Sequence, residues 1–140
     1  MEGKRPTLHS RRKVILLDND DQVVRQVSRV FGGVFIVIHV QNPRTVMGLL
    51  ETDASIAAVI SEQVLRSGAG VDLLASVRSF RPQVRRVMLT GYADLAAIVG
   101  GLHSGAIQSL LHKPAGDAEL LSAVCPELSD RALLQRRNSA

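Results

Sequence analysis

The sequence is poor in the residues that most readily reveal a protein's chemistry. Of its 140 residues one is cysteine, none is tryptophan, and aromatic residues make up 3%. A single cysteine, Cys125, excludes a disulfide within the chain and fits a reducing compartment. The scarcity of aromatic rings leaves little material for the stacking platforms that bind single-stranded nucleic acids. With 46% hydrophobic residues, the core must be aliphatic.

Long hydrophobic runs are also absent. No apolar stretch approaches the roughly 18 residues that a membrane-spanning helix requires. The run Val14–Leu17 behind the basic N-terminus stops at Asp18, which is too short for the apolar part of a signal peptide. We therefore expect a soluble, cytoplasmic protein with no membrane partner.

Acidic residues are fewer than basic ones, but the basic surplus is confined to the two ends. The formal net charge is +4, of which residues 1–13 contribute +4, residues 131–140 contribute +3 and residues 14–130 contribute −3. A basic balance can indicate nucleic-acid binding. Because the body of this chain is mildly acidic, nucleic acid is not the expected partner of its folded part.

The length is that of one domain with one buried core. We expect residues 1–12 to form a disordered basic arm, residues 13–128 the folded domain and residues 129–140 a C-terminal tail or linker. Within the domain, short apolar runs without alternation recur about every 20–30 residues, as is typical of strands buried on both faces of a parallel sheet. The predicted strands are Val14–Leu17, Val34–Ile38, Ile56–Ile60, Val87–Leu89 and Ile107–Leu111.

Amphipathic helical patterns lie between these strands. Asp20 or Asp21 is a candidate N-cap for the first helix, and Asn42-Pro43 is an N-cap followed by proline at the first helical position of the second. Apolar stripes at helical spacing mark all five helices: Val23, Val27, Val30 and Phe31; Val46, Leu49 and Leu50; Leu73, Val77 and Phe80; Leu95, Ile98, Val99 and Leu102; and Leu120, Leu121, Val124, Cys125 and Leu128. The alternation predicts an α/β fold with a doubly wound, five-stranded parallel sheet.

Polar residues follow four of the predicted strands. In open α/β sheets, ligands bind beyond the carboxyl ends of the strands. Carboxylates there can hold Mg²⁺, and a hydroxyl and an ammonium can bind phosphoryl oxygens. The segments concerned are Asp18-Asn19-Asp20-Asp21, Ser61-Glu62, Thr90-Gly91 and His112-Lys113-Pro114. The sequence therefore predicts a cation and phosphoryl site at this edge, although Asp20 and Asp21 serve equally well as helix caps.

In these segments the sequence resembles the receiver domains of two-component response regulators. The resemblance covers residues 13–128 and is carried by Val14–Asp21, Val59–Glu62, Val87–Asp94 and Gly105–Pro114. It implies a (βα)5 flavodoxin-like fold and a role in a phosphorelay. In such domains an Asp after the third strand accepts a phosphoryl group with the help of Mg²⁺. A hydroxyl and a lysine then bind that group and shift the face formed by the fourth helix, fifth strand and fifth helix.

By position, the resemblance places Glu62 at the phosphoacceptor site and Asp18 and Asn19 at the acidic pair that holds the metal. The backbone carbonyl of Val64 would be the third metal contact. The residues expected to act in switching are Thr90, Leu110, Lys113 and Pro114. The Lys113–Pro114 peptide is expected to be cis, as is usual in this family.

Three of these positions depart from the family's pattern. Glu62 replaces the acceptor Asp, and its extra methylene carries the carboxylate about 1.5 Å farther, toward Thr90 and Lys113. Asn19 replaces one carboxylate of the metal site, and Leu110 replaces an aromatic switch residue. We therefore predict a degenerate receiver in which Glu62 forms a permanent ion pair with Lys113, supported by Thr90. No cofactor is required, and Mg²⁺ binding is weakened.

The expected function is that of a signalling module rather than an enzyme. Its partner would be a sensor histidine kinase or an output domain, bound through the face of the fourth helix, fifth strand and fifth helix, and a homodimer through that face is a further option. Two alternatives stay open. One is a working receiver truncated from a longer transcriptional or cyclic-di-GMP regulator. The other is a small haloacid-dehalogenase-like phosphatase with Asp18 as its nucleophile.

Overall fold

A computed structural model of the chain describes residues 11–91 and 95–126. Most of the predicted arm and the whole predicted tail therefore lie outside the described residues. The elements in chain order are β1 (Lys13–Leu17), α1 (Asp21–Phe31), β2 (Ile36–Val40), α2 (Pro43–Thr52), β3 (Ile56–Ser61), β4 (Val64–Leu65), β5 (Gly68–Ala69), α3 (Gly70–Phe80), β6 (Arg85–Thr90), α4 (Leu95–Ser104), β7 (Ser109–His112) and α5 (Asp117–Val124).

Five of the strands form one sheet in the order β2-β1-β3-β6-β7, and every neighbouring pair is parallel. The remaining two, β4 and β5, form a short antiparallel hairpin between β3 and α3. The predicted doubly wound α/β fold is confirmed. The strand order reverses direction between β1 and β3, and this reversal creates the crevice in which ligands bind in such sheets.

Both faces of the sheet are covered by helices. The side chains of α1 and α5 pack on one face around Phe31 and Leu120, and those of α2, α3 and α4 pack on the other around Leu50 and Leu74. Because both faces are buried, β1 consists almost entirely of apolar residues. The aliphatic core expected from the composition is therefore present as two layers.

Two strands of the main sheet, β2 and β7, begin later than the sequence predicts. The second strand was predicted from Val34 but begins at Ile36, because the chain first turns out of α1 through hydrogen bonds from the amides of Val34 and Phe35 to the Phe31 carbonyl. Val34 is consequently exposed. Similarly, Ile107 precedes the last strand and fills the core from outside the sheet. Hydrophobicity alone does not separate a strand residue from an apolar residue next to it.

The predicted N-caps of α1 and α2 are confirmed, but the apolar stripes predicted for α3 and α4 include exposed side chains. The side chain of Asp20 accepts from the Gln22 amide, and that of Asn42 accepts from the Arg44 amide at 2.8 Å. Phe80, at the end of α3, is 48% exposed. In α4 the buried residues are Ile98 and Gly101, while Leu95, Val99 and Leu102 are exposed. Leu128 of the fifth stripe lies outside the described residues.

Arginine side chains bind helix C-termini at the amino edge of the sheet. Because cations favour the carbonyl end of a helix, these arginines both satisfy orphan carbonyls and offset the helix dipoles. The donors and their acceptor carbonyls are Arg11 with Gly32 after α1, Arg81 with Leu50, Asp53 and Ala54 around the end of α2, Arg86 with Gly105 and Ala106 after α4, and Arg85 with Ala123 of α5. Part of the chain's positive charge thus lies on arginines that bind backbone carbonyls within the fold.

Among residues 11–91 and 95–126, no helix combines the length and the apolar character needed to cross a membrane.

Candidate functional site

Four predicted site residues meet at the carboxyl edge of the sheet. Asp18 follows β1, Glu62 follows β3, Thr90 ends β6 and Lys113 follows β7. The parallel register places Leu17 beside Ser61 and Thr90 beside His112, so the strands end at about the same level. Side chains from four separate segments are therefore brought to one place.

The carboxylate of Glu62 contacts two of the predicted switch residues, Thr90 and Lys113. Its Oε1 accepts a hydrogen bond from the Thr90 hydroxyl and another, at 2.7 Å, from the backbone amide of Gln63. Its Oε2 lies 2.7 Å from Nζ of Lys113. Thr90 is fully buried. The predicted ion pair between Glu62 and Lys113, with Thr90 in support, is present in the structure.

Lys113 also contacts the buried carboxylate of Asp18. Its Nζ donates to Oδ1 at 3.1 Å and lies 2.9 Å from Oδ2 as an ion pair. Oδ1 also accepts from the Asp20 amide at 2.8 Å. One ammonium therefore serves two carboxylates, and these three groups together carry one excess negative charge.

Burial and hydrogen bonding shift the pKa values of the two carboxylates in this cluster in opposite directions. Burial raises the pKa of Asp18 and outweighs the lowering effect of the Asp20 amide and Lys113. Burial acts in the same direction on Glu62, but hydrogen bonds from Lys113, Thr90 and Gln63 more than offset it and lower the pKa of Glu62. Burial likewise lowers the pKa of Lys113, but the two carboxylates reverse the effect and raise it. The cluster thus favours ionised Glu62 and charged Lys113.

The predicted magnesium site does not fit the donor set in this arrangement. Mg²⁺ requires oxygen ligands around it in near-octahedral geometry. Oδ1 of Asp18 and Oε1 of Glu62 accept hydrogen bonds. The other two oxygens, Oδ2 of Asp18 and Oε2 of Glu62, lie 2.9 and 2.7 Å from the ammonium nitrogen of Lys113. Asn19 adds an uncharged side chain on the exposed rim. A divalent cation at this place would compete with Lys113 for the two carboxylates.

The remaining predicted residues occupy different surroundings. Asn19 and Val64 line a cavity of about 270 Å³ beside Glu62, and Val64 is 62% exposed. Leu110 is partly buried and packs against the core layer under α2, α3 and α4. The Lys113–Pro114 peptide is cis, as the sequence predicts.

Sequence reasoning missed several contributors to the site. Gln41 and Arg66 line the same cavity, and a nitrogen of His39 lies 2.7 Å from the backbone carbonyl of Asp18. Gln63 is buried beside Glu62. A polar residue directly after a buried strand was the only signal for Gln63, whereas nothing local in the sequence indicates the side chains that approach from β2 and the hairpin.

A family model describes most of the chain. The model of the response regulator receiver domain matches residues 14–125, which lie within the predicted domain of residues 13–128. Among curated proteins, the acid tolerance regulatory protein ActR of Rhizobium meliloti is 25% identical over 121 residues, covering 86% of this chain and 61% of the relative. The hydrogenase transcriptional regulatory protein HoxA of Bradyrhizobium diazoefficiens is 26% identical over 111 residues, covering 79% of this chain and 23% of the relative.

Solved structures show the same architecture. The signal receiver domain of an HD domain-containing protein from Pseudomonas fluorescens Pf-5 superposes with a TM-score of 0.72 at 26% identity, covering 93% of this chain and 99% of that one. A CheY-like response regulator receiver domain from Methanospirillum hungatei gives a TM-score of 0.74 at 19% identity, covering 90% and 99%. The chain spans less than two thirds of the ActR and HoxA relatives but nearly the whole of these isolated domains.

Proposed function

The chain belongs to the family of response regulator receiver domains, and on that premise we propose that it is a pseudo-receiver, whose signalling state is set by Glu62 instead of by a phosphoryl group. Receiver domains of this family are in general signalling modules of two-component systems rather than enzymes. The observation that carries the proposal is the Glu62 carboxylate, which contacts both Thr90 and Lys113.

The carboxylate of Glu62 takes the place of phosphoryl oxygens. In receivers, the hydroxyl and the lysine bind the phosphoryl group formed on an Asp at this position. Here Glu62 itself offers one oxygen to each of them. The longer side chain therefore holds Thr90 in a contact that otherwise follows phosphorylation. We propose that the domain rests in a conformation resembling the signalling state.

The same contacts disfavour phosphoryl transfer to Glu62. An attacking carboxylate oxygen must be free to approach phosphorus in line with the leaving group. Both oxygens of Glu62 are held by donors, and hydrogen bonding lowers the pKa of this carboxyl group and with it the nucleophilicity. The donor set also fits Mg²⁺ poorly, so the charge that normally assists transfer is reduced.

Intact-mass measurement after incubation with acetyl phosphate or phosphoramidate and Mg²⁺ tests the proposal. We expect no adduct of about 80 Da, the mass of one phosphoryl group, on the wild-type chain. The double variant Glu62→Asp/Asn19→Asp restores the carboxylate length and the second metal carboxylate, and we expect it to gain the adduct. This variant also serves as the positive control for the donor. A stoichiometric adduct on the wild type that disappears in Glu62→Ala would contradict the proposal.

A second candidate function is a phosphorylatable receiver within a longer regulator. The observation in its favour is that the chain covers 61% of ActR and 23% of HoxA, both of which are named as regulatory proteins. The mass experiment separates the two functions, because the second requires the wild-type adduct. No observation favours the phosphatase alternative.

We propose that a protein partner, such as a kinase, an output domain or a second copy of the chain, binds the face of α4, β7 and α5. Leu95, Val99 and Leu102 recur at helical spacing on α4 and are 68%, 60% and 42% exposed. Exposed apolar side chains in a contiguous row are typical of interaction surfaces. Sedimentation velocity over a range of protein concentrations tests whether a second copy of the chain binds this face. If this copy is the occupant, Val99→Asp weakens association while Ser76→Asp, an exposed control on α3, does not.

A further inference from the structure

Gln63 is a buried polar residue to which the proposed function assigns no role. It follows Glu62 directly and is 5% exposed. Its backbone amide donates to Oε1 of Glu62 at 2.7 Å, and its side-chain Oε1 accepts from the Val71 amide at 2.9 Å. Its backbone carbonyl accepts from the Gly70 amide at 2.8 Å. One residue therefore contacts both the Glu62 carboxylate and the first turn of α3.

The contact with Val71 replaces a missing helix cap. The first amides of a helix have no partner within the helix and are commonly satisfied by a side chain at the N-cap position. The N-cap of α3 is Ala69, which has no such side chain. Gln63 supplies the acceptor from eight residues upstream. In α2, by contrast, the local residue Asn42 performs this task.

The start of α3 also packs directly on the backbone of Glu62. A Cβ atom at Gly70 would lie 2.1 Å from the carbonyl oxygen of Glu62, which is possible for glycine alone. The Ser61 hydroxyl donates to that same carbonyl oxygen at 2.8 Å. The backbone of Glu62 is thus held between β3 and α3, with little room to move independently of the helix.

From these contacts we infer that Gln63 is a positioning residue, which orients the Glu62 carboxylate toward Thr90 and couples the state of that carboxylate to the first turn of α3. The role of this coupling in signalling rests on the proposed function, whereas the coupling itself does not. Coupling between two sites is reciprocal. A change at Gln63 must therefore be detectable at Glu62, and a change at Glu62 must be detectable in α3.

Nuclear magnetic resonance on the full chain, without phosphodonor or Mg²⁺, tests both directions. In Gln63→Leu we expect the side-chain carboxyl carbon of Glu62 and the methyl group of Thr90 to change chemical shift. We also expect amide exchange at Val71 to accelerate about fivefold to tenfold, as suits the loss of one cap. Gln63→Glu keeps an acceptor at the helix start and should restore slow exchange. Glu62→Ala should accelerate exchange at Val71 without Gln63 being touched.

Asn42→Ala is the matched control, because it removes the cap of α2 but leaves the site alone. It should accelerate exchange in the first turn of α2 and leave the Glu62 and Thr90 resonances in place. If Gln63→Leu changes exchange at Val71 but not those resonances, Gln63 is only a cap and the inference is wrong. The inference is also wrong if Glu62→Ala leaves amide exchange at Val71 unchanged. This measurement on Glu62→Ala can still be made if Gln63→Leu fails to fold. A phosphoryl adduct on the wild type would contradict the proposed function while leaving this coupling intact.

Discussion

The ammonium nitrogen of Lys113 lies 2.7 Å from Oε2 of Glu62 at the carboxyl edge of the sheet. The two side chains are 17% and 12% exposed, so solvent only partly screens their attraction. Lys113 is the cation shared by Glu62 and Asp18. Its removal therefore leaves two carboxylates facing each other, whereas removal of the Glu62 charge leaves a balanced pair of Lys113 and Asp18.

This asymmetry predicts unequal costs for the two substitutions. Lys113→Met should lower the free energy of unfolding by about 3 kcal/mol, because it leaves largely buried carboxylates without their partner. Glu62→Gln keeps an oxygen for Thr90 and should cost about 1–2 kcal/mol. Urea unfolding followed by circular dichroism measures both. Equal costs would show that Lys113 does not hold Asp18 and Glu62 together.

Arg86 should be among the most sensitive positions outside the site. It is 4% exposed and donates to the carbonyls of Pro82, Val84, Gly105 and Ala106. Arg86→Met would leave several buried carbonyls without this donor, and we expect a loss of about 3 kcal/mol in urea unfolding. Arg78→Met, at a nearby exposed arginine, should stay within about 0.5 kcal/mol of the wild type. Similar losses for both would rule out the specific role of the Arg86 contacts.

Two glycine-to-alanine substitutions should change the stability of the fold in opposite directions. At Gly70 the added methyl group would collide with the Glu62 carbonyl oxygen, so Gly70→Ala should destabilise the fold by about 2–3 kcal/mol. At Gly48, inside α2, the added group would meet no atom within 4 Å apart from the adjoining residues and the backbone of its own helix. Gly48→Ala should therefore stabilise by about 0.5–1 kcal/mol through helix propensity. Thermal unfolding of both variants beside the wild type measures the two effects: the midpoint temperature should fall for Gly70→Ala and rise for Gly48→Ala.

The ion pair between Lys13 and Asp53 predicts an acid-dependent loss of stability. Hydrogen bonds from Lys13 and Ser55 lower the pKa of Asp53 to about 2, from an ordinary value of 3.8. Because the folded-state pKa is the lower one, the contribution is fully present above the unfolded value and is lost as pH falls through about 2. Asp53→Asn should flatten the decline in unfolding free energy over this interval.

Lys13→Met provides the partner measurement for that prediction. It removes the hydrogen bond that lowers the pKa of Asp53 most. The decline in unfolding free energy toward acid pH should therefore become shallower here too, but by a smaller amount because Ser55 still donates to Asp53. An unchanged slope in both variants, measured by urea unfolding at a series of pH values, would show that the contact contributes nothing to stability.

The sequence by itself determined the order of the five helices and of the five strands of the main sheet, and the place of the site, but not the β4–β5 hairpin. Alternating apolar runs and amphipathic stripes depend on local spacing, and the N-caps at Asp20 and Asn42 are read from a few neighbouring residues. Because parallel strands bring their carboxyl ends to one edge, the sequence alone predicts that Asp18, Glu62, Thr90 and Lys113 lie together. The reach of a glutamate beyond that of an aspartate also follows from covalent geometry.

Beyond the predicted contacts of Glu62 with Lys113 and Thr90, only the tertiary structure decided how polar side chains are paired. The sequence could not show that one lysine is shared by two carboxylates, that Gln63 caps α3 or that Arg86 binds carbonyls between α3 and β7. It also could not show that most of the apolar stripe of α4 faces outward. Hydrogen bonds and burial depend on which distant segments approach in space, and long polar side chains can satisfy many different partners. Spacing along the chain therefore locates such groups, whereas packing selects their contacts.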